Sequence, residues 1–231
     1  MHPARIAELL EPFLQDASDQ RPTTNDALYH YISTYIDILQ RWNSRINLTA
    51  IRGEETIVNR HFGESLFLAR HLFTSNAQVG TAALVCPTER SSALRVADLG
   101  SGAGFPGIPI KLWAPEISLT LIESSQKKAT FLREVVRSLT LTKVDIQNLR
   151  GEDLSPDRAF DVVTLRAVEH FTSALPVAAA LLAPAGRLAL LIGSTQLDHA
   201  HSTLPSFSWD HPTPIPASQS RILLVGTAPT K

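Results

Sequence analysis

A glycine-rich turn between a short apolar strand and a helix is the feature that most constrains the fold of this chain. Residues 95–99 predict a buried strand, and Gly100, Gly102 and Gly104 follow it directly. Glycine reaches backbone angles that a Cβ atom forbids, so the main chain here can lie against a ligand. A helix predicted at 105–113 starts at this turn and points its free N–H groups toward the same place. The pattern predicts a cradle for a nucleotide-containing cofactor.

A carboxylate follows the next predicted strand. Residues 117–122 indicate that strand, and Glu123 stands at its carboxyl end. A carboxylate there can accept hydrogen bonds from both hydroxyls of a ribose. Its distance from the turn, about 20 residues, is the spacing that a mononucleotide-binding half requires.

Two cofactor classes fit the turn. Residues 102–107 satisfy the G-x-G-x-x-G pattern of dinucleotide enzymes, whereas 98–104 have the pattern of S-adenosylmethionine methyltransferases. Glu123 fits both. Asp98 favours the methyltransferase, because an acid before the first glycine suits cationic ammonium and sulfonium groups and repels a pyrophosphate. A glycine-rich turn that binds no ligand is the third alternative.

Composition limits the class of protein. The 231 residues are 44% hydrophobic and 19% charged, which is typical of a soluble globular chain. The chain has no apolar run near the roughly 20 residues of a membrane helix and no signal-peptide core, so we expect a cytoplasmic protein that does not contact membranes. Cys86 is the single cysteine and the histidines lack ligand spacing, so we expect no disulfide and no metal. A net charge of −1 means that a nucleic-acid partner would need a local basic patch.

The predicted elements divide the chain into three parts. Residues 1–72 form an N-terminal helical segment, in which 26–42 and 54–72 are predicted helices. Residues 73–94 have no periodicity and predict a flexible insertion. From 95 to 231 strands and helices alternate, which predicts an α/β fold with a doubly wound, Rossmann-like sheet. The elements predicted there are strands at 95–99, 117–122, 143–147, 160–165 and 187–192, helices at 105–113, 126–139 and 168–182, and a terminal antiparallel pair at 206–209 and 221–226.

Several further motifs lie in register with the turn. They are 41–43 (Arg-Trp-Asn), 47–52 (Asn-Leu-Thr-Ala-Ile-Arg), 60–62 (Arg-His-Phe), 65–66 (Ser-Leu), 98–109 and 127–132. Together they resemble the bacterial small-subunit ribosomal RNA guanine-N7 methyltransferases, the RsmG or GidB family. The resemblance covers about 28–193, with a weaker match at 221–225. Glu64 departs from a common aspartate, and Ile192 stands where a lysine is frequent.

The resemblance implies a class I methyltransferase core behind the N-terminal helical segment. Its implied activity is transfer of a methyl group from S-adenosyl-L-methionine to N7 of one guanine in 16S rRNA, within the small ribosomal subunit or its precursor. Guanine N7 attacks with an available lone pair and loses no proton, so we expect positioning residues and no general base. A monomer is the expectation, although the sequence leaves the oligomeric state open. The alternative is a methyltransferase of a small molecule or protein, and the more distant one a nicotinamide-binding or catalytically silent relative.

The expected cofactor contacts combine the turn with positions that the resemblance supplies. Phe105 falls on a turn contact, Gly151 and Glu152 fall on the pair that flanks the adenine, and Arg166 falls on the arginine that ends the fourth strand. Arg166 can pair with the cofactor carboxylate, steady the guanine, or form an ion pair with Asp161 or Glu169. The predicted cofactor residues are Asp98, Gly100, Gly102, Gly104, Phe105, Glu123, Gly151, Glu152 and Arg166.

Basic residues of the N-terminal helical segment and of the cofactor cleft are the candidates for RNA contact. The alternative is an ordinary solvated charged face, since acidic residues share these helices. Trp42 can stack on a base, but its helix pattern favours inward packing. The RNA candidates are Arg41, Arg45, Asn47, Arg52, Arg60, His61, Lys127, Lys128 and Arg166.

Overall fold

The central feature of the molecule is a mostly parallel sheet flanked by helices. The computed structural model describes residues 1–15, 26–73, 93–155, 159–166 and 171–230. Within these ranges eight strands form one sheet in the order β3-β2-β1-β4-β5-β8-β6, with β7 also pairing with β8. The α/β, Rossmann-like architecture expected from the alternating sequence pattern is confirmed.

The strands and helices are numbered in chain order. The strands are β1 (Arg95–Leu99), β2 (Ser118–Ile122), β3 (Val144–Gln147), β4 (Phe160–Arg166), β5 (Leu182–Gly193), β6 (Ser208–Trp209), β7 (Thr213–Pro214) and β8 (Arg221–Thr227). The helices are α1 (Pro3–Leu14), α2 (Asp26–Asn43), α3 (Glu54–Ile57), α4 (Glu64–Leu72), α5 (Gly107–Trp113), α6 (Gln126–Ser138), α7 (Phe171–Ala180) and α8 (Leu197–Thr203). Within the described ranges, no helix combines the length and the apolar character that crossing a lipid bilayer requires.

Strand direction decides where a site can form. β1 to β5 are parallel, so their carboxyl ends meet at one edge of the sheet, which we call the carboxyl edge. Chain order reverses between β1 and β4, and ligands of open α/β sheets bind outside the strand ends at such a switch point. The glycine turn follows β1 and lies at this position. β8 runs antiparallel to β5, so its first residue, Arg221, pairs with Gly193 and lies at the same edge.

Several predicted boundaries needed correction. α5 begins at Gly107 and not at residue 105, because the turn continues through Pro106 and the Ser101 carbonyl accepts the N–H groups of Gly104 and Phe105. β5 begins at Leu182, five residues before its predicted start, because Leu182 pairs with β4 ahead of an irregularity in the ladder. The predicted antiparallel terminal pair is present, and β8 lies between β5 and β6.

Some predictions fall on residues outside the described ranges. Of the predicted insertion at 73–94, residues 74–92 lie outside them, and these include Cys86. The start of the predicted helix at 168–182 also lies outside, as does Glu169. α1 and α8 were not predicted as separate helices.

The N-terminal helices share one apolar core with a face of the sheet. Ile6, Leu10 and Phe13 are buried on one side of α1, at the spacing of an amphipathic helix. The same cluster of buried side chains includes Ile36 of α2 and Leu191 of β5. The helices therefore pack directly on the sheet, which fixes their position relative to the carboxyl edge.

A π-helical turn interrupts the second predicted helix. The range 54–72 folds as α3, a π turn over Val58–Gly63, and α4. Such turns occur frequently at functional sites, because the added residue redirects the side chains around it. Gly63 closes the turn, where a Cβ atom would stand 2.6 Å from the ring of Phe13. The close approach of α1 therefore needs glycine at this position.

We expect Gly63→Ala to lower the free energy of unfolding by about 1–3 kcal/mol, the usual effect of overpacking a filled core. Phe13→Leu makes room for the added methyl group, so the double variant should lose less than the sum of the two single changes. Urea denaturation measures all three. Gly193→Ala is the matched control, because its Cβ would have its nearest neighbour at 3.7 Å and its φ is −75°. Additive losses would contradict the proposed contact.

Candidate active site

The glycine turn has the backbone conformation that its sequence predicts. The φ angles are 70° at Gly100, 56° at Gly102 and 84° at Gly104, in the left-handed region that favours glycine. The N–H groups of Gly100 and Ser101 both donate to the carbonyl of Ile122, at 2.9 and 3.0 Å. The turn is therefore held against the end of β2.

Glu123 brings its carboxylate to this turn from the end of β2. Its Oε2 accepts the N–H of Gly102 at 2.8 Å, and its Oε1 accepts the N–H of Ser125 at 2.8 Å. A carboxylate has about four lone-pair positions, so each oxygen keeps room for a further donor. Asn148, which sequence reasoning missed, donates its side-chain amide to the Glu123 carbonyl at 2.9 Å. The turn, the residues after β2 and the loop after β3 thus all donate hydrogen bonds to Glu123.

Asp98, in β1 just before the turn, accepts hydrogen bonds from the start of α5 and from β4. Its side chain is 1% exposed, and it accepts the Gly107 N–H at 3.1 Å and the Thr164 hydroxyl at 2.9 Å. Burial raises the pKa of Asp98 to about 6. A Cβ at Gly107 would stand 2.8 Å from Oδ2, so that contact also depends on glycine. Asp98 joins β1, β4 and the start of α5, and a direct contact with a cofactor stays a prediction.

Phe105 ties the turn to the N-terminal helices. Its ring is stacked between Tyr35, with centroids 5.3 Å apart, and His61, with centroids 4.5 Å apart. The Tyr35 hydroxyl donates to the Ala103 carbonyl at 2.5 Å. Because the Phe105 ring is buried in this stack, its available contact to a ligand is through the main chain. The sequence pattern of the helix predicted at 26–42 gives no signal for this hydroxyl contact of Tyr35.

His61 is neutral in this environment, which corrects its prediction as part of a basic surface. Its ring is 8% exposed, its Nε2 lies 2.9 Å from the Thr49 hydroxyl, and its Nδ1 has no partner among the described residues. Burial lowers the pKa of His61 to about 3, and the nearby guanidinium groups of Arg166, Arg60 and Arg221 add to the effect. His61 therefore positions the Thr49 loop and the Phe105 ring and does not carry positive charge at neutral pH.

Three arginines converge on Glu64, whose side chain is 1% exposed. Oε1 lies 3.0 Å from Nε of Arg60 and 2.9 Å from Nε of Arg221, and Oε2 lies 3.5 Å from Nη2 of Arg166. Arg166 also donates to the Arg60 carbonyl at 2.6 Å. Burial lowers the pKa of Arg166 to about 10, which leaves it charged at neutral pH.

Among the described residues, Arg166 pairs with Glu64 and not with Asp161. Asp161 accepts the Arg95 N–H at 2.8 Å instead, and Glu169 lies outside the described residues. Sequence reasoning did not select Arg221 or Glu64 as site residues. The available signal was that Arg221 opens a strand antiparallel to β5, which places it at the carboxyl edge.

The remaining candidates differ in exposure. Gly151 is buried, and a Cβ there would stand 2.6 Å from Leu99, so its role in the structure is close packing beside the turn. Trp42 packs inward, as expected, with its ring edge toward Phe131 and its N–H donating to Glu134 at 2.9 Å. The exposed candidates are Arg41, Arg45, Asn47, Arg52, Arg60, Lys127 and Glu152, and Lys128 is half-buried. No group of three or more potential metal ligands is present among the described residues.

Comparison with known proteins identifies the family. The model of the family described as rRNA small subunit methyltransferase G matches residues 29–212. The chain belongs to this family. Proteins called ribosomal RNA small subunit methyltransferase G are 35% identical in Chloroflexus aggregans, covering 87% of this chain and 83% of that one, and 37% identical in Halorhodospira halophila, covering 83% of each. The resemblance proposed from the sequence motifs is thereby confirmed, and the match extends beyond residue 193.

Solved structures of other proteins share the fold of this chain. The ribosomal protein L11 methylase of Lactobacillus delbrueckii subsp. bulgaricus superposes with a TM-score of 0.57 at 18% identity, covering 77% of this chain and 81% of that one. A putative transferase of Pyrococcus horikoshii gives 0.56 at 12% identity, covering 78% of this chain and 66% of that one. At these identities the comparison shows the shared sheet and nothing about substrate.

The neutral state of His61 makes the stability of this family member depend on pH. The folded pKa is about 3 and the ordinary value is 6.5, so between them only the unfolded chain binds the proton. The His61 contribution is complete above pH 6.5 and is lost as the pH falls, by up to about 1.4 kcal/mol per pH unit. Asp98 acts in the opposite direction, because its pKa is raised from 3.8 to about 6 and its contribution falls as the pH rises.

Comparing the wild-type chain with His61→Gln isolates the contribution of His61 to the pH dependence of stability, since Asp98 is present in both proteins. We expect the wild-type chain to lose stability relative to this variant as the pH falls from about 6.5 to 4. Chemical denaturation at each pH gives the difference. A constant difference over this interval would show that His61 is not held neutral.

Proposed function

We propose that this chain transfers a methyl group from S-adenosyl-L-methionine to N7 of a specific guanine in 16S rRNA, acting as a monomer on the small ribosomal subunit or its precursor. The observation that carries the proposal is membership in the methyltransferase G family over most of the chain. Family and fold together support an S-adenosylmethionine-dependent rRNA methyltransferase. The finer assignment to guanine N7 comes from the motif resemblance.

The carboxyl edge has features that fit this cofactor. The face of Gly102 is open, since a Cβ there would have the Gly100 carbonyl as its nearest neighbour at 3.8 Å. Glu123, 6% exposed, keeps lone pairs available for ribose hydroxyls. The main chain of 100–105 would hold the cofactor, with Glu123 at the ribose and Gly151 and Glu152 beside the adenine. When bound, the cofactor supplies an electrophilic methyl group on a sulfonium.

The protein has little covalent chemistry to perform. The lone pair of guanine N7 is already available and no proton leaves, so the residues need only to hold the base in line with the methyl group. The neutral ring of His61 is stacked on the Phe105 ring. The guanidinium carbon of charged Arg166 lies 6.0 Å from the centroid of the same ring. These groups can orient a base and exclude water without acting as acid or base.

Exposed arginines of the loop between α2 and α3 provide a surface for phosphates. The Thr49 hydroxyl lies 2.9 Å from His61, which places this loop beside the π turn. Arg45 and Arg52 are exposed on the same loop. Phosphate contacts position nucleic acids and dominate their salt-dependent affinity. We infer that this loop holds the RNA backbone next to the cofactor cradle.

The direct test is transfer of label from methyl-labelled S-adenosylmethionine to small ribosomal subunits that lack the modification. Digestion should release the label as 7-methylguanosine. Label in another nucleoside would contradict the N7 assignment, and label in protein alone would favour a different substrate class.

Glu123→Gln is expected to reduce transfer and weaken binding of S-adenosylhomocysteine, because its NH₂ group cannot accept the N–H groups that the carboxylate now accepts. Glu116→Gln is the matched control, since Glu116 is 88% exposed and pairs with Lys143 before β2 and β3 begin.

Reversing charge at Arg45 and Arg52 tests the RNA surface. The double change to Glu is expected to lower RNA methylation roughly tenfold or more at low salt, because phosphate attraction is replaced by repulsion. Affinity for S-adenosylhomocysteine should stay unchanged. Arg137→Glu is the control, since Arg137 is exposed in the last turn of α6, at the opposite edge of the sheet. Equal activity in the two variants would eliminate the loop as an RNA contact.

A further inference from the structure

Among the described residues, the cluster of Arg60, Arg166 and Arg221 has three positive charges in direct contact with one carboxylate, that of Glu64. Three guanidinium groups lie within 3.5 Å of the carboxylate of Glu64. Asp98 also attracts Arg166 through space, so among the described residues two carboxylates act on three guanidinium groups. Partly buried positive charges without an opposite charge destabilise the folded state, because they lose hydration. A bound anion would offset that loss.

Donor groups remain available in this cluster. Among the described residues, Arg60 donates only through its Nε, to Glu64. Arg221 donates through Nε to Glu64 and through Nη2 to the main-chain carbonyl of Leu191, at 3.3 Å. Nε of Arg166 is buried and has no partner among the described residues, in a side chain that is only 6% exposed. Arg60 is 45% exposed and gives the cluster an opening to solvent. Arginine donors of this kind match the oxygens of a phosphate group.

Arg221 lies away from the ribose end of the cofactor cradle, whereas Arg166 ends β4 beside the glycine turn. Glu123 stands at the end of β2, whereas Arg221 begins β8, which lies three strands beyond β1 in the sheet order. At about 4.8 Å per strand, that separation from β1 is roughly 14 Å. Arg60 comes from the π turn, next to the loop that carries Arg45 and Arg52. The cluster thus continues the exposed basic surface toward the centre of the carboxyl edge.

We propose that Arg60, Arg166 and Arg221 form a binding site for one phosphate of the RNA backbone beside the target base, with Glu64 as the positioning residue that holds the three arginines together. This assignment rests on the proposed function. It adds Arg221 and Glu64 to the residues that act on the substrate. It also explains why the acid Glu64 is buried at a surface that binds a polyanion. Glu64 holds the guanidinium groups in place, although it neutralises one of their three positive charges.

The test is the salt dependence of methylation in Arg221→Gln. Loss of one phosphate contact should raise the KM for small subunits about tenfold and reduce the slope of log KM against log salt by about 0.7 to 0.9, with unchanged affinity for S-adenosylhomocysteine. Arg221→Lys keeps the charge and should restore most of the slope. Arg187→Gln is the matched control, because Arg187 is also a buried arginine on the β5–β8 ladder, paired with Asp210, but at the opposite end of that ladder.

Glu64→Gln separates positioning from charge. It removes one negative charge, so electrostatics alone would tighten RNA binding, whereas loss of positioning would lower kcat/KM. We expect the lower kcat/KM, with a thermal melt and S-adenosylhomocysteine binding to verify folding. If this variant does not fold, the Arg221 series still decides the proposal.

An unchanged salt slope in Arg221→Gln would overturn the phosphate site. Loss of S-adenosylhomocysteine binding with an unchanged slope would also overturn it and assign the cluster to the cofactor carboxylate. If the wild-type chain transfers no methyl group to the subunits, the proposed function itself is wrong, and the phosphate assignment is wrong with it.

Discussion

The stacking of Phe105 between Tyr35 and His61 is the interaction on which the arrangement of the site depends. Phe105 belongs to the glycine turn, Tyr35 to α2 and His61 to the π turn, so one buried ring joins the glycine turn to the N-terminal helices. Aromatic pairs of this kind contribute about 0.5–1.5 kcal/mol beyond their buried area. They also determine the geometry of the site, since they fix the basic loop and the arginine cluster relative to the turn.

Buried polar groups give the site its shape where apolar packing alone could not. The carboxylate of Asp98 joins two strands to the start of a helix, and the carboxylate of Glu64 gathers side chains from three elements. Each is 1% exposed, so each must be bonded throughout to offset its loss of solvation. Removing such a group would leave its partners unsatisfied, which makes these acids structural requirements of the carboxyl edge.

The part of the site that depends on local sequence could be predicted, and the part that depends on tertiary contacts could not. The glycine conformations and Glu123 follow from residues close in sequence, where spacing and backbone freedom decide the outcome. Arg221 meets Glu64 across 157 residues, and Asn148 meets Glu123 across 25. The charge of His61 depends on its burial, which residue type alone does not reveal. The π turn escaped prediction because its apolar pattern still matches an ordinary helix closely.

The stack around Phe105 also has a thermodynamic consequence. A ligand that moves the glycine turn must move this ring against Tyr35 and His61, and His61 also contacts Thr49 in the loop between α2 and α3. Any coupling that arises is reciprocal by necessity, so the factor by which bound cofactor changes RNA affinity equals the factor by which bound RNA changes cofactor affinity. Methyl transfer converts the bound cofactor into its product. If the product changes RNA affinity by a different factor than the cofactor does, the corresponding difference in coupling free energy can favour release of the methylated RNA.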